Sequence, residues 1–151
     1  MPTDPYGLSK NVINRIIEHE TNFYNIRVYG VFDENELDTR FIKSNIKRYI
    51  TNQPLEIHQN KLMDFIYMED LISLVKYYIE NTDVNKITEG CYVKKYSLID
   101  IANIINNLSN YKVSINVHNE GIALPYIGKT TPPIEFIGLE KGIKNVYNEL
   151  K

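Results

Sequence analysis

Asp64-Phe65-Ile66-Tyr67-Met68-Glu69-Asp70-Leu71 lies near the middle of the chain and changes its periodicity part-way. Asp64 to Met68 reads as a short β run. Glu69 or Asp70 then caps a helix whose apolar positions, Leu71, Leu74, Val75, Tyr78 and Ile79, recur at helical spacing. A strand running directly into a helix is the building unit of α/β architecture.

The same alternation continues in both directions. Upstream, Leu55 to His58 alternates and predicts an edge strand. Before it, Thr39 is placed to cap a helix through Phe41, Ile42, Ile46 and Ile50 that stops before Pro54. Val31 to Asp38 reads as a loop. Asn25 to Tyr29 reads as a strand ended by Gly30. The first helix is expected from Pro5 to about Glu20, with Asp4 as N-cap and Pro5 at the first helical position. Its apolar face is Leu8, Val12, Ile13, Ile16 and Ile17.

Downstream, Gly90 to Lys94 reads as a strand. Ser97 and Asp100 form a capping box for a helix carrying Leu98, Ile101, Ala102, Ile104, Ile105 and Leu108. Val113 to Val117 alternates as a strand, and Gly121 to Pro133 is a loop. Leu139 to Leu150 is a last helix with Ile143, Val146, Tyr147 and Leu150 buried. Repeats, low-complexity tracts and linkers are absent. The order predicts an α/β fold.

The 151 residues suffice for one domain with a sizeable core, and 43% hydrophobic with 24% charged residues is ordinary for a globular chain. A net charge of −2 gives no general attraction to nucleic acid or anionic membranes. No apolar run approaches the roughly 20 residues needed to span a bilayer, and no signal peptide is visible. His19, His58 and His118 are scattered, so no metal-ligand spacing arises. The single cysteine, Cys91, reads as packing. These features fit a reducing, cytoplasmic setting. Lys43, Lys47 and Arg48 read first as a solvated face and second as a phosphate contact.

Tyr6-Gly7-Leu8-Ser9-Lys10 carries the chemistry. Tyr6 and Lys10 are four apart and share one helix face. A nearby ammonium favours the phenolate and lowers the pKa of the phenol, so such a Tyr can exchange a proton with a hydroxyl or carbonyl. With 12 Tyr in the chain, chance supplies roughly one such pair. A second one, Tyr147 and Lys151, reads as an amphipathic tail.

In order, the motifs resemble the extended short-chain dehydrogenase/reductase family, specifically its NAD(P)-dependent nucleotide-sugar epimerases, dehydratases and reductases. The Tyr6-x-x-x-Lys10 helix is followed by Arg27-Val28-Tyr29-Gly30-Val31-Phe32, similar to the family's Arg-x-aromatic-Gly strand end. Arg40-Phe41-Ile42 resembles its next helix start. Asp64 to Leu71 is similar to its Asp-aromatic-Ile segment, and Leu139-Glu140-Lys141-Gly142-Ile143 to its last helix start. Gln59-Asn60 is similar to members from polysaccharide biosynthesis.

The resemblance implies that Tyr6 is the general acid/base at the sugar and that Lys10 contacts the nicotinamide ribose. It implies Tyr6, Lys10 and Tyr29 as cofactor contacts for NAD or NADP. It also implies Arg27, Arg40, Lys61 and Tyr67 as contacts to a nucleotide-sugar substrate. The implied fold is the C-terminal part of a Rossmann-type parallel sheet plus a small substrate-binding domain. Residues 1–52 are the expected sheet remnant and 53–151 the substrate domain, with elements interleaved.

The family's Gly-rich cofactor turn is missing, and only five residues precede Tyr6. Met1 is therefore expected to begin a truncated reading frame or a cut chain. The N-terminal cofactor half and the catalytic Ser/Thr should lie elsewhere, and no cofactor should bind this fragment. Met63 stands where relatives have an Arg on the diphosphate, and Lys61 or His58 is the candidate substitute.

Each candidate also has a plainer reading. Arg27 could pair with a carboxylate, Tyr67 could be packing, Asp70 a helix cap and Lys129 a solvated loop residue. One functional reading is an enzyme fragment, inactive alone, that dimerises or pairs with an N-terminal polypeptide through an exposed edge at Asn25–Tyr29. The alternative is a non-catalytic module binding a sugar nucleotide or a protein. A nucleic-acid binder is disfavoured by the acidic balance.

Overall fold

The computed structural model describes residues 3–129, 132 and 134–151. Among them are five helices and six strands, all strand pairs parallel. Helix α1 is Pro5–His19, and strand β1, Asn25–Val28, pairs with β5, Ile87–Gly90. Strand β2, Val31–Phe32, pairs with β4, Ile66–Tyr67. Strand β3, Leu55–Asn60, pairs with β6, Ile115–Ile122, with a register shift at Gln59/Asn60. Helices α2 (Phe41–Ile50), α3 (Met68–Glu80), α4 (Leu98–Asn106) and α5 (Leu139–Leu150) complete the fold. Parallel strands joined through helices give the α/β class that the alternation predicts.

One core cluster joins α2, α4 and α5 to the inner faces of β3 and β4. Ile42, Ile46, Tyr49, Leu55, Ile57, Ile101, Ile105 and Val146 are fully buried in it. Its members come from both sides of residue 52. Asn45 ties α2 to β3: its Nδ2 donates to the Glu56 carbonyl and its Oδ1 accepts from the Glu56 N–H. The capping box of α4 is formed, with Ser97 Oγ accepting from Asp100 N and Asp100 Oδ2 from Ser97 N.

Several expectations are corrected. Val31–Asp38 is not wholly loop: it opens with β2, where Phe32 packs against Tyr67 at 5.5 Å between ring centroids. Two residues are too few to show alternation. Thr39 does not cap α2. Arg40 is the N-cap without a side-chain bond, and Glu36 Oε1 instead accepts from the third helical N–H, Lys43. The N-cap of α3 is Tyr67, so neither Glu69 nor Asp70 caps it. Asp70 is 1% exposed and accepts from Ile137 N and Gly138 N, serving the start of α5 instead. The strand expected over Gly90–Lys94 lies earlier, at Ile87–Gly90; Cys91 and Tyr92 are buried by packing and not by strand pairing.

Strand β6 runs past Val117 to Ile122 and includes Gly121. Its second half is polar because the strand is exposed, so no alternation is required there. Pro133, the expected end of the following loop, lies outside the described residues. Lys43 is buried, with Nζ on the Glu36 carbonyl and Asp38, whereas Lys47 shares Asp38 at the surface. Cys91 is buried, and burial pushes the pKa of its thiol up.

Helix α1 has the apolar stripe read from its sequence, yet none of its residues is buried, and Leu8, Val12, Ile13 and Ile16 are exposed. Strand β1 pairs only with β5 among the described residues. No described helix is long and apolar enough to cross a membrane.

Candidate functional site

The first turn of α1 is fixed by Asp4, whose Oδ1 accepts from Gly7 N at 2.8 Å. That turn carries Tyr6, and Lys10 follows one turn later, its Nζ 5.4 Å from the Tyr6 ring centroid. Tyr147 and Lys151 show the same contact at 5.6 Å, so the four-residue spacing alone produces it. Surroundings separate the two pairs. Tyr147 is 6% exposed within the core, whereas Tyr6 is 73% exposed and borders an open cleft of about 630 Å³.

This cleft lies between α1 and β1. Arg27 lines it, donating to Asn14 Oδ1 at 3.1 Å, and the same oxygen accepts from Asn25 Nδ2. The carboxylate partner considered for Arg27 is therefore replaced by an amide on α1. Lys10 and Arg27 are the charged residues of the lining, so the cleft favours an anionic or electron-rich guest. Asn11 also lines it, with a buried Oδ1 that accepts no hydrogen bond among the described residues.

A second cleft, about 660 Å³, opens beyond β1. Arg40 and Lys61 bring positive charge to it, and His58 and Glu36 lie beside them. Phe41 and Phe65, stacked at 6.0 Å, form an apolar wall suited to a flat ring. Met63 faces this cleft where relatives are expected to carry Arg. Val28 and Tyr29 line both clefts, so the two share one border.

Of the predicted site residues, Tyr6, Lys10, Arg27 and Tyr29 meet at the first cleft, and Tyr29, Arg40 and Lys61 at the second. Tyr67 lines neither. It is buried between β4 and α5, its hydroxyl donating to Glu69, so the expected substrate contact is not where the structure puts it. Lys129 is exposed and borders neither cleft; its backbone N–H donates to Glu89.

Residues 1–90 match the family model described as the NAD dependent epimerase/dehydratase family, more than half of the 151 residues. The chain belongs to that family. No curated protein is significantly similar to this epimerase/dehydratase chain. Among solved structures it is similar to UDP-glucose 4-epimerase from Thermotoga maritima, with a TM-score of 0.74 at 14% identity over 99% of the chain and 54% of the other. UDP-N-acetylglucosamine 4-epimerase from Bacillus cereus gives 0.73 at 18% identity, covering 99% and 54%. A mutant of UDP-glucuronic acid 4-epimerase from Bacillus cereus, in complex with a substrate analogue and NAD, gives 0.70 at 15%, covering 98% and 52%. At these identities the likeness is one of fold. This epimerase/dehydratase chain spans about half the length of the structures it matches.

Among the lining residues without a signal in the sequence are Tyr126 and Glu36. Tyr126 reaches the first cleft from a loop without periodicity, and Glu36 joins the second from the segment before α2. Burial pushes the Glu36 carboxyl up from 4.5 to about 7, with Asp33 adding to it and the Lys43 N–H and Arg40 opposing. The folded state therefore holds this proton more tightly than the unfolded chain. The stability it contributes is complete below pH 4.5 and is lost as pH rises through about 7. Glu36→Gln should gain about 1–2 kcal/mol over wild type at pH 8, allowing for its half-exposure, and almost nothing at pH 4.5. Urea unfolding at the two pH values checks this; a gain independent of pH contradicts it.

Proposed function

We propose that this chain is the substrate-binding half of an NAD(P)-dependent nucleotide-sugar enzyme, an epimerase, dehydratase or reductase, in which Tyr6 is the general acid/base. The observation that carries the reading is the shared border. Tyr6 and Lys10 open on a cleft that meets, at Tyr29, a second cleft bearing Arg40 and Lys61. A nucleotide sugar has the matching layout: a reactive sugar at one end and an anionic diphosphate with a flat base at the other.

Arg40 and Lys61 hold the diphosphate and Phe41 and Phe65 face the base, with Lys61 taking the part that Met63 cannot. Tyr6 holds or accepts the proton of the sugar oxygen, and Lys10, one turn along the same face, would donate to the cofactor ribose. NAD or NADP, when bound, supplies hydride acceptance and donation at the sugar carbon. The residues present fit the reactive end of that group: Tyr6, Lys10 and Tyr29 border one cleft, and the orphaned Asn11 Oδ1 needs an N–H or O–H donor.

The seven glycines provide no Gly-rich cradle for the pyrophosphate. A segment carrying that turn, or failing it a second copy of this chain, covers the exposed stripe of α1 and the edge of β1 that is unpaired among the described residues. In this reading α1, β1 and β5 belong to the cofactor-binding sheet, and β3, β6 and α4 to the substrate domain.

Calorimetric titration of the chain alone with NAD and with NADP should show no binding tighter than about 100 μM, and a lower Kd contradicts the division of the site. The activity test is co-expression with a polypeptide bearing the Gly-rich half, followed by NMR of UDP-, CDP-, GDP- and dTDP-sugars incubated with NAD or NADP. An epimerised, dehydrated or reduced sugar is the expected product. Nucleotide-sugar binding without conversion in every combination would mark a non-catalytic binding module instead.

A further inference from the structure

We propose that the Tyr29–Tyr126 edge-to-face pair, at the border of the two clefts, is the platform on which the sugar ring of the substrate rests beside Tyr6. The inference rests on reading the clefts as one nucleotide-sugar site, and it adds the residues that place the sugar. Val28 and Tyr29 are the residues common to both linings, and Tyr126 lines the Tyr6 side. A ligand with its nucleotide by Arg40 and its sugar by Tyr6 has to cross them. Their rings meet at 5.0 Å and 73°, which presents an aromatic surface in two planes. The C–H face of a pyranose is apolar and weakly positive, so it packs favourably on the negative face of such a ring.

The Tyr29 ring and the backbone that carries Tyr126 are held in place before any ligand arrives. The Tyr29 hydroxyl donates to Glu89 Oε1 at 2.8 Å, and Glu89 Oε2 accepts from Lys129 N at 2.6 Å. Gly128 lies alongside the ring: a Cβ there would stand 3.0 Å from Tyr29 Cε2 and 2.8 Å from Cys91 Sγ. Gly128 N in turn donates to the buried Asp64, which Lys95 also holds at 2.7 Å. Tyr126 is pinned through its backbone, donating to the Leu62 carbonyl at 2.9 Å and accepting from Asp64 N at 3.1 Å. Fixing that ring and that backbone in advance lowers the entropy lost on binding. Burial and the adjoining Glu89 push the Tyr29 phenol well above its ordinary value. It therefore stays a neutral donor to Glu89, which leaves Tyr29 a positioning residue.

The test compares UDP-glucose with UDP, and the GDP-, CDP- and dTDP-glucose pairs with their diphosphates, by calorimetry on the whole chain. The wild-type chain should bind at least one nucleotide sugar more tightly than the matching diphosphate. Tyr126→Leu should remove roughly three- to tenfold of that preference while leaving diphosphate affinity within about twofold, and Tyr29→Leu, which also borders the diphosphate cleft, should remove a similar share of the preference. Tyr29→Phe keeps the ring face but loses its tie to Glu89, and should keep most of the preference; a loss as large as that of Tyr29→Leu would contradict a role for the ring. Equal losses for sugar and diphosphate, or a preference that survives both leucines, would overturn the platform and leave the nucleotide site standing. Absence of binding by every diphosphate and every sugar would overturn the two-cleft reading and the platform with it.

Discussion

Tyr6→Phe is expected to lower turnover roughly 10²- to 10⁴-fold in the proposed enzyme, assayed together with a Gly-rich half, the usual worth of a positioned proton transfer. The substitution deletes one oxygen from a side chain that is 73% exposed, so stability should not move measurably. Nucleotide-sugar affinity should change little, because the lost interaction develops with the proton transfer and not with ground-state binding. Tyr147→Phe is the internal control. That residue has the same lysine four positions on and the same ring-to-ammonium distance to within a few tenths of an ångström, but it lies in the core. Turnover unchanged in Tyr147→Phe and lost in Tyr6→Phe assigns the chemistry to the cleft and not to the motif. Steady-state rates of the two variants decide it, and a Tyr6→Phe enzyme within threefold of wild type contradicts the assignment.

Asp70→Ala is the substitution with the largest expected effect on stability. The carboxylate is 1% exposed and accepts three hydrogen bonds: from Tyr92 Oη at 2.6 Å, Ile137 N at 2.7 Å and Gly138 N at 3.0 Å. Removing it strands one buried donor, Tyr92 Oη, and two part-buried ones, Ile137 N and Gly138 N, at about 1–3 kcal/mol for each left without a partner or water. Relaxation and water entry recover part of this, and a net loss of about 3–5 kcal/mol is expected. For a domain of this size that corresponds to a fall in Tm of roughly 6–15 °C. The Tyr92 phenol, pushed up by burial and by Asp70, stays protonated as the donor and accepts from Tyr67 N at 3.0 Å. The network thus holds α5 against β4, whose preceding residue, Phe65, walls the second cleft. Asp70→Asn retains one acceptor and should lose about half as much. Thermal unfolding of the two variants checks this, and an Asp70→Ala chain within 0.5 kcal/mol of wild type, an order-of-magnitude bound for neutral substitutions, contradicts it.

Local signals were legible and non-local ones were not. Asp4 and the Ser97–Asp100 box mark helix starts because the cap and its partners lie within one turn. The ends of α5 are those expected, Leu139 and Leu150, because its buried stripe is sustained at helical spacing. Tyr6 and Lys10 share a face for the same reason. Glu36 has no local signal because it replaces a cap from seven residues away, and Asp70 reads as a cap of its own helix because the helix it serves starts far downstream. Tyr126 meets Tyr29 only through the tertiary fold. Tyr67 misled because a buried aromatic and a substrate-facing one leave the same alternating pattern.

Central to the account is a nucleotide sugar lying across Tyr29, with its diphosphate by Arg40 and Lys61 and its sugar by Tyr6. Amide and side-chain NMR of the isotope-labelled chain, titrated with UDP-, GDP-, CDP- and dTDP-sugars, tests this most directly. At least one sugar nucleotide should shift Arg40, Lys61, Tyr29, Tyr126 and Tyr6 together, while the corresponding diphosphate shifts Arg40 and Lys61 without Tyr6. Saturating binding that leaves Tyr6 and Tyr29 unmoved, or that maps to another face of the molecule, would contradict it.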